Sequence, residues 1–341
     1  MAEKKLELKN KRFTGPLTLI ISVVVFYLVV KIMCRSLYSQ MVVNMALVFC
    51  LVAYSVSVML GMCGELSFAG VAFMGIGAFT IANLTTGRFG FKISPLGAFL
   101  VVIPVATFIA FIIGLILLRL KGTFFSFSTI ALVQVAYTFF NNYRPLFGGV
   151  DGISGIPSVR ILGKQLTNHY LWFPYLLVFV VFVGLVVEHI RNTQLGRSMA
   201  SCRDNETAAR VLGVNVYMTK VIAFTISGVL SAMGGALYSM LIRYASADMF
   251  TYDTSAKYLI MAMFGGVQST IGAFIGALIV QILPQVLKVF QRYFQLIWGV
   301  SIILLMVFMP EGLTGIFRMA LKRRKSRKKG RISVIQEKGE E

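Results

Sequence analysis

Charge is scarce in this 341-residue sequence: only 13% of its residues are Asp, Glu, Lys or Arg, about half the ~25% of an ordinary soluble domain. Acids are scarcer still, 13 against 33 Lys and Arg. With 57% apolar residues and a mean hydropathy of +0.80, this excludes a soluble globular enzyme, a disordered chain and a collagen-like one. Cysteine is equally sparse. Cys34, Cys50, Cys63 and Cys202 show no CxxC spacing, so neither a disulfide framework nor a metal site is indicated. The two histidines, His169 and His189, stand near the ends of apolar runs without a ligand partner at usable spacing, and read as interfacial polar residues. HExxH, GxSxG, paired intramembrane aspartates and a Walker sequence are all missing, which removes support for a membrane protease, a hydrolase or a self-contained ATPase. The first apolar run lacks an A-x-A site and continues into Lys31, so no cleavable signal peptide is expected.

What the sequence has instead is long apolar runs. They are too long and too unalternating for the ten-residue strands of a β-barrel, so the spans are helices. The expected fold is an all-α polytopic membrane helix bundle with broken or re-entrant helices and a weak internal repeat. Spans are expected at 16–30, 41–62, 68–84, 96–118, 124–140, 171–187 and 221–241. Beyond them, 258–267 is only ten residues long, 271–287 is seventeen, and Gly265-Gly266-Val267-Gln268-Ser269-Thr270 divides them. About 20 residues are needed to cross a bilayer, so a re-entrant pair fits these lengths better than two full crossings. One further crossing, 294–308, then leads to the tail.

The cations cluster. Five lie in residues 1–12, five in 188–220 and nine in 318–331. Beside apolar spans this is the positive-inside signature, which places all three segments in the cytoplasm. The chain accordingly divides into a cytoplasmic segment 1–15, a transmembrane domain 16–317 with an external loop 141–170 and a cytoplasmic loop 188–220, and a basic cytoplasmic tail 318–341. The run from Lys322 to Lys329 has no interleaved aromatics for base stacking, so it reads as a segment held at anionic lipid and not as a nucleic-acid module.

Two segments carry the candidate chemistry. Within the cytoplasmic loop, Asp204 to Leu212 reads as a short helix, with Asp204 as N-cap, Ala208 and Ala209 as strong formers and Gly213 as a natural stop. Such a helix suits a protein partner, and an ordinary solvated connection is the plainer reading. The glycine-rich stretches Gly64 to Ala78 and Gly265 to Ala277 resemble each other, and matching interrupted segments in two halves of a chain point to a transport site. Close packing through small-xxx-small faces such as Gly272 and Gly276 explains the glycines as well, but not the polar interruptions. Glu65, Ser67, Gln134, Asn141, Gln268 and Ser269 are the polar residues expected to line a solute path. Glu65 faces either that path or the helix start at Phe68, which it would cap. Few other ionisable residues lie within the spans, so the chain is expected to move a solute with energy borrowed through its cytoplasmic loop. A secondary transporter or channel for a small polar solute is the alternative, and a membrane scaffold a third reading.

Taken in order, Gly64-Glu65-Leu66-Ser67-Phe68 with Gly75-x-Gly77-Ala78, the segment Gly148 to Pro157, the loop from Gly196-Arg197 through Arg203-Asp204-Asn205-Glu206-Thr207-Ala208-Ala209-Arg210 to Gly213-Val214, and Pro310-Glu311-Gly312-Leu313 resemble the LivM-type permeases of branched-chain amino acid ABC importers. The resemblance covers roughly residues 40–318. It implies a permease without a catalytic or metal site of its own, paired with a second homologous permease, two cytoplasmic ATPase subunits that bind ATP and Mg, and an extracytoplasmic solute-binding protein. It further implies a bacterial-type cell membrane location and a branched-chain amino acid as solute, with urea, short amides and other amino acids carried by related permeases. The segment from Glu206 to Gly213 is similar to the coupling motif by which such permeases dock their ATPases, with Arg203, Asp204, Glu206 and Arg210 as charged rim and Ala208, Ala209 and Gly213 as the close-fitting part. Family members often carry Gln where this chain has Glu65.

The cation clusters generate a topology prediction. On a background without native cysteines, cysteines introduced at Ser198 and Ser154 should react with impermeant maleimide from opposite sides of the membrane. Labelling of both from outside would contradict the orientation.

Overall fold

The computed structural model describes residues 36–286 and 299–300, apart from 89, 91 and 162. The expected span 16–30, nearly all of the span 294–308, the segment 1–15 and the tail 318–341 lie outside the described residues. Within them the chain is helical. Helix α1, Leu37–Val56, continues through a π-helical turn, Ser57–Met62. It is followed by α2, Gly70–Thr86, α3, Pro95–Leu117, α4, Thr123–Asn142, and the single turn α5, Arg144–Phe147. Helix α6, His169–Asn192, leads into α7, Gln194–Asp204, and α8, Glu206–Val211. Helix α9, Val216–Ile242, precedes the pair α10, Tyr252–Gly265, and α11, Thr270–Val286. Five helices, α1 with its π turn, α3, α4, α6 and α9, are long and apolar enough to span a membrane. The all-α polytopic fold is thus observed.

Burial sorts the spans into an inside and an outside. The apolar window of α1 is 89% buried, whereas those of α3 and α4 are 22% buried. Helix α1 is therefore the axis, packed by α6, α9, α10 and α11, while α2, α3 and α9 pack against one another. Side chains such as Phe108, Phe124, Phe127 and Val135 face outward from α3 and α4. Outward-facing apolar residues are stable there only against lipid or another apolar partner. A cavity of about 560 Å³ between α2, α3 and α4, bounded by Phe79, Val105, Leu132 and Phe147, is almost entirely apolar and contains none of the six expected path residues.

Small residues set the helix spacing. A methyl group added at Gly235 of α9 would lie 1.8 Å from the Met74 carbonyl oxygen of α2, and one at Gly77 would lie 2.0 Å from the Ala232 oxygen. The two backbones touch reciprocally, which is how helices associate where no aqueous hydrophobic effect drives them together. The same holds between α10 and α11, where Gly272 abuts the Gly265 oxygen and Gly276 the Met261 oxygen. Close packing therefore explains the glycines of the second glycine-rich stretch.

In the pair α10 and α11 the first helix is longer than its apolar run, and neither helix is among the five long enough to span a membrane. Helix α10 begins at Tyr252, six residues before the apolar run, because its polar first turns are satisfied inside the protein: Ser255 donates to the Phe68 carbonyl and Lys257 to Gln281 Oε1 at 2.8 Å. Hydropathy alone discounts such residues. The turn at 266–269 lies beside the end of α1, which leads into the break at 63–69, and the end of α6, which leads into the basic loop: Ser57 Oγ donates to the Val267 carbonyl at 2.7 Å and Arg191 to the Gln268 carbonyl. The turn of the hairpin is thus held by side chains from the ends of both helices. On the opposite side, the segment after α5 is tied down by strands of two residues, too short to leave a period-2 signal. Strand β1, Ile153–Ser154, pairs antiparallel with β4, Tyr244–Ala245, and β2, Arg160–Ile161, with β3, Lys164–Gln165.

Gly235→Ala should destabilise the protein, by about 1–3 kcal/mol if it behaves as a typical overpacked core substitution. Thermal unfolding of the detergent-solubilised protein measures this. An unchanged melting temperature would contradict backbone contact between α9 and α2.

Candidate functional site

Residues 188–220 fold into a compact cap on the basic side. Thr193 starts α7 by accepting from the Gly196 N–H. The next start is supplied by Asn205, whose Oδ1 accepts from Ala208 N–H at 3.0 Å. The N-cap of the loop helix is thus Asn205 and not Asp204, which closes the preceding helix. Both side chains suit the role chemically, but only Asn205 has the extended backbone a cap requires. Gly213 ends the unit with φ +79°, a left-handed conformation that costs glycine little. Asn215 then caps α9 by accepting from Met218 N–H.

Ala209 is not available to a partner. Its side chain is buried within this chain, against Cys202, Val214 and Val216. The exposed face of the loop helix is made by Thr207, Ala208 and Arg210, and by Val211 and Leu212, 83% and 79% exposed. Two bare aliphatic side chains at the tip of a polar loop form a small apolar knob. The sequence reading passed over them because Val-Leu before a glycine looks like an ordinary helix end.

Electrostatics join this cap to the membrane helices. Lys220, in the second turn of α9, donates to Glu65 and to Glu206. The Lys220 and Glu65 side chains are only 9% and 12% exposed, and that of Glu206 is 41% exposed. Glu206 also pairs with Arg210 at 3.7 Å. Beside it Arg203 holds Asp204 through two donors, 3.0 and 2.9 Å, and donates to the Gly61 carbonyl at 2.7 Å. The cluster contains three cations and three carboxylates, so its charges balance. Removing one member of a buried pair strands the other and typically costs about 3–5 kcal/mol. The expectation for Lys220 was only a place in a polar loop, because a helix starting at Val221 left it outside. The cap at Asn215 moves that start back and carries the lysine into the bundle.

Two breaks in the membrane helices meet this network. The first is residues 63–69, between α1 and α2. Gly64 there has φ +82°, and a Cβ on it would lie 2.7 Å from Arg203 Cγ, so conformation and space both call for glycine. Glu65 is engaged by Lys220 and does not cap α2, whose start at Ala69 has no side-chain cap. Ser67 Oγ accepts from Ala69 N–H at 3.3 Å. The second break is the hairpin turn. Gln268 is exposed, and its carbonyl accepts from Arg191 at 2.7 Å. Ser269 Oγ accepts from Gly272 N–H at 3.2 Å, and Thr270 donates to Glu188 at 2.7 Å. The breaks adjoin, since a Cβ at Gly61 would meet the Val267 oxygen at 1.9 Å. The π turn of α1 falls at this contact, and such turns are frequent where helices carry function.

Of the six expected path residues, Glu65, Ser67, Gln268 and Ser269 thus lie in the two breaks. Gln134 and Asn141 stand apart on α4: Gln134 is exposed and Asn141 half-buried, toward the end of that helix away from the basic loop. The apolar cavity between α2, α3 and α4 is lined by none of the six. Burial, and secondarily Cys202, pushes the Cys63 thiol up to about 12, and burial raises that of Cys202. Both shifts disfavour the thiolate, the form that acts as nucleophile or metal ligand. No metal-binding cluster occurs among the described residues.

A bundle of spanning helices, with adjoining breaks wired to a cap on one side, defines a transport permease. Residues 38–309 match the profile of the branched-chain amino acid transport system permease component, and the chain belongs to that family. It is 26% identical over 316 residues to the high-affinity branched-chain amino acid permease LivM of Salmonella typhimurium, covering 85% of this chain and 73% of the relative. Probable LivM of Methanocaldococcus jannaschii is 25% identical over 64% of this chain and 68% of its own length. The ribose import permease RbsC of Haemophilus influenzae is 26% identical over 61% and 66%. No solved structure matches significantly.

Proposed function

We propose that the chain is the membrane-spanning subunit of an ATP-driven importer for branched-chain amino acids. The reading is supported by family membership across residues 38–309 and by relatives named for branched-chain amino acid transport. The observation that carries the ATP-driven part is the cap at residues 193–216. Its tip presents Val211 and Leu212 to solvent, while Arg203 ties it to the end of α1 and Glu206 joins it, through Lys220 of α9, to Glu65 in the first break.

In this reading the exposed face of the loop helix seats in a groove of a cytoplasmic ATPase. Val211 and Leu212 provide buried area, and Arg210, Arg203 and Asp204 form the rim that fixes register. ATP and Mg are bound by two such ATPases, and this chain supplies neither a nucleotide site nor a cofactor. A second homologous permease completes the pathway, and an extracytoplasmic binding protein delivers the solute. Nucleotide binding shifts the cap, the cap shifts the breaks, and the population moves between outward-open and inward-open forms. The complex resides in the cell membrane with the basic loop, the N-terminus and the tail facing the cytoplasm.

The test is coexpression with the partner ATPases and sister permease. Leu212→Asp places a charge on the exposed tip without touching the interior, and should remove ATPase copurification and ATP-dependent leucine uptake together. Ala209→Trp should act differently, reducing folded yield, because Ala209 is enclosed by its own chain. Normal ATPase retention and uptake in Leu212→Asp would contradict docking through this helix. Leucine uptake without any ATPase would favour a secondary transporter.

A further inference from the structure

Lys220 is the one cation of the cap that is planted in a membrane helix and reaches carboxylates on two other elements. Its backbone belongs to α9. One partner, Glu65, belongs to the break between α1 and α2, and the other, Glu206, is the first residue of α8. The break and α8 are 141 positions apart in the chain, counting from 65 to 206, yet a single ammonium joins them. Glu65 in turn sits in a segment that reaches further into the bundle. The Leu66 carbonyl accepts from Ser126 on α4 at 2.9 Å, Phe68 N–H donates to Thr129 at 3.1 Å, and the Phe68 carbonyl accepts from Ser255 on α10. A displacement of α8 that pulls Glu206 therefore acts on Lys220, and through Glu65 on a segment hydrogen-bonded to two further helices.

We propose that Lys220 is a positioning residue for transport: an ionic strut that transmits movement of the docking helix α8, through Glu65, to the helix break at residues 63–69. This deepens the proposed function and rests on α8 being the docked element. The strut is suited to the role because its ends differ in stiffness. The Glu65 end is buried and held in low dielectric, where an ion pair resists separation, whereas Glu206 is partly exposed, shared with Arg210 and able to slide. Burial also sets which end follows. When Glu206 moves, leaving Lys220 and Glu65 apart would strand both in the interior, so the pair moves as one. Arg203 adds a second link, with its guanidinium on the Gly61 carbonyl and its stem against Gly64, but that contact reaches backbone on the near side of the break. Lys220 instead reaches the Glu65 side chain within it. A purely structural pair would hold the fold equally well with an uncharged hydrogen-bonded or apolar replacement, and that difference is measurable.

The test uses the complex with its ATPases in proteoliposomes, with Cys34, Cys50, Cys63 and Cys202 replaced by Ala and a reporter cysteine at Ser67. The reporter reads movement of the break by its rate of reaction with maleimide, and requires no transported solute. With Lys220 in place, ATP should change that rate by about tenfold, within the range of ordinary allosteric coupling. Lys220→Arg should keep the change. Lys220→Met should abolish it while the ATPases still copurify. The double variant Glu65→Gln/Lys220→Met removes the stranded carboxylate, so it guards against a folding defect, and it should also lack the response. An ATP response of normal size in the double variant would overturn the strut, as would a response absent when Lys220 is intact and the ATPases are bound. Failure of the Lys220 chain to retain any ATPase would instead overturn the docking role of α8, and the strut with it.

Discussion

The structure depends on how an acid-poor membrane protein spends its carboxylates. The whole chain has 13 Asp and Glu, and three of them, Glu65, Asp204 and Glu206, converge on Lys220, Arg203 and Arg210 at the junction between the helix bundle and its cap. At the buried centre, where Lys220 meets Glu65, an unpaired charge is costly, whereas Asp204, Glu206 and Arg210 are exposed enough to be screened. The buried pair therefore sets where Glu206, and with it the cap, meets the bundle. A second cation acts at the neighbouring break, where Arg191 spans Glu188, Ser57 Oγ and the Gln268 carbonyl. Charges that would be ornamental on a soluble surface act here as joints.

Packing explains why those joints can transmit force. Backbone contact between α2 and α9, and between α10 and α11, leaves little slack for side chains to absorb a displacement. The breaks at 63–69 and 266–269 are the exceptions, lacking continuous helical hydrogen bonding. Irregular backbone is tolerated at membrane depth only where protein or water satisfies it, and here Ser126, Thr129, Ser255, Ser57 and Arg191 do so. A rigid bundle with two adjoining soft segments, each gripped from the same side, concentrates motion where a solute path would need it.

Much of this was legible in the sequence. Long apolar runs define the spans, and the cation cluster at 188–220 marks the cap. The polar interruptions after Met62 and after Phe264 mark both breaks. What the sequence hid was partnership. Nothing local to Lys220 reveals that it lies beside Glu65, 155 positions away, and nothing local to Ala209 reveals that it faces its own chain and not a partner. Asp204 and Asn205 are both good capping residues, and the choice between them rests on backbone geometry. The start of α10 was missed because Asp253, Ser255 and Lys257 look solvent-facing until the groups that receive Ser255 and Lys257 are in place.

Glu65 and Glu206 act as one unit through their shared lysine. A double-mutant cycle with Glu65→Gln and Glu206→Gln, read as thermal stability of the purified complex, tests it most directly. Strong non-additivity is expected, in the range of about 0.5–3 kcal/mol seen for residues sharing one ion-pair network. Effects that simply add, within about 0.3–0.5 kcal/mol as for independent sites, would contradict it.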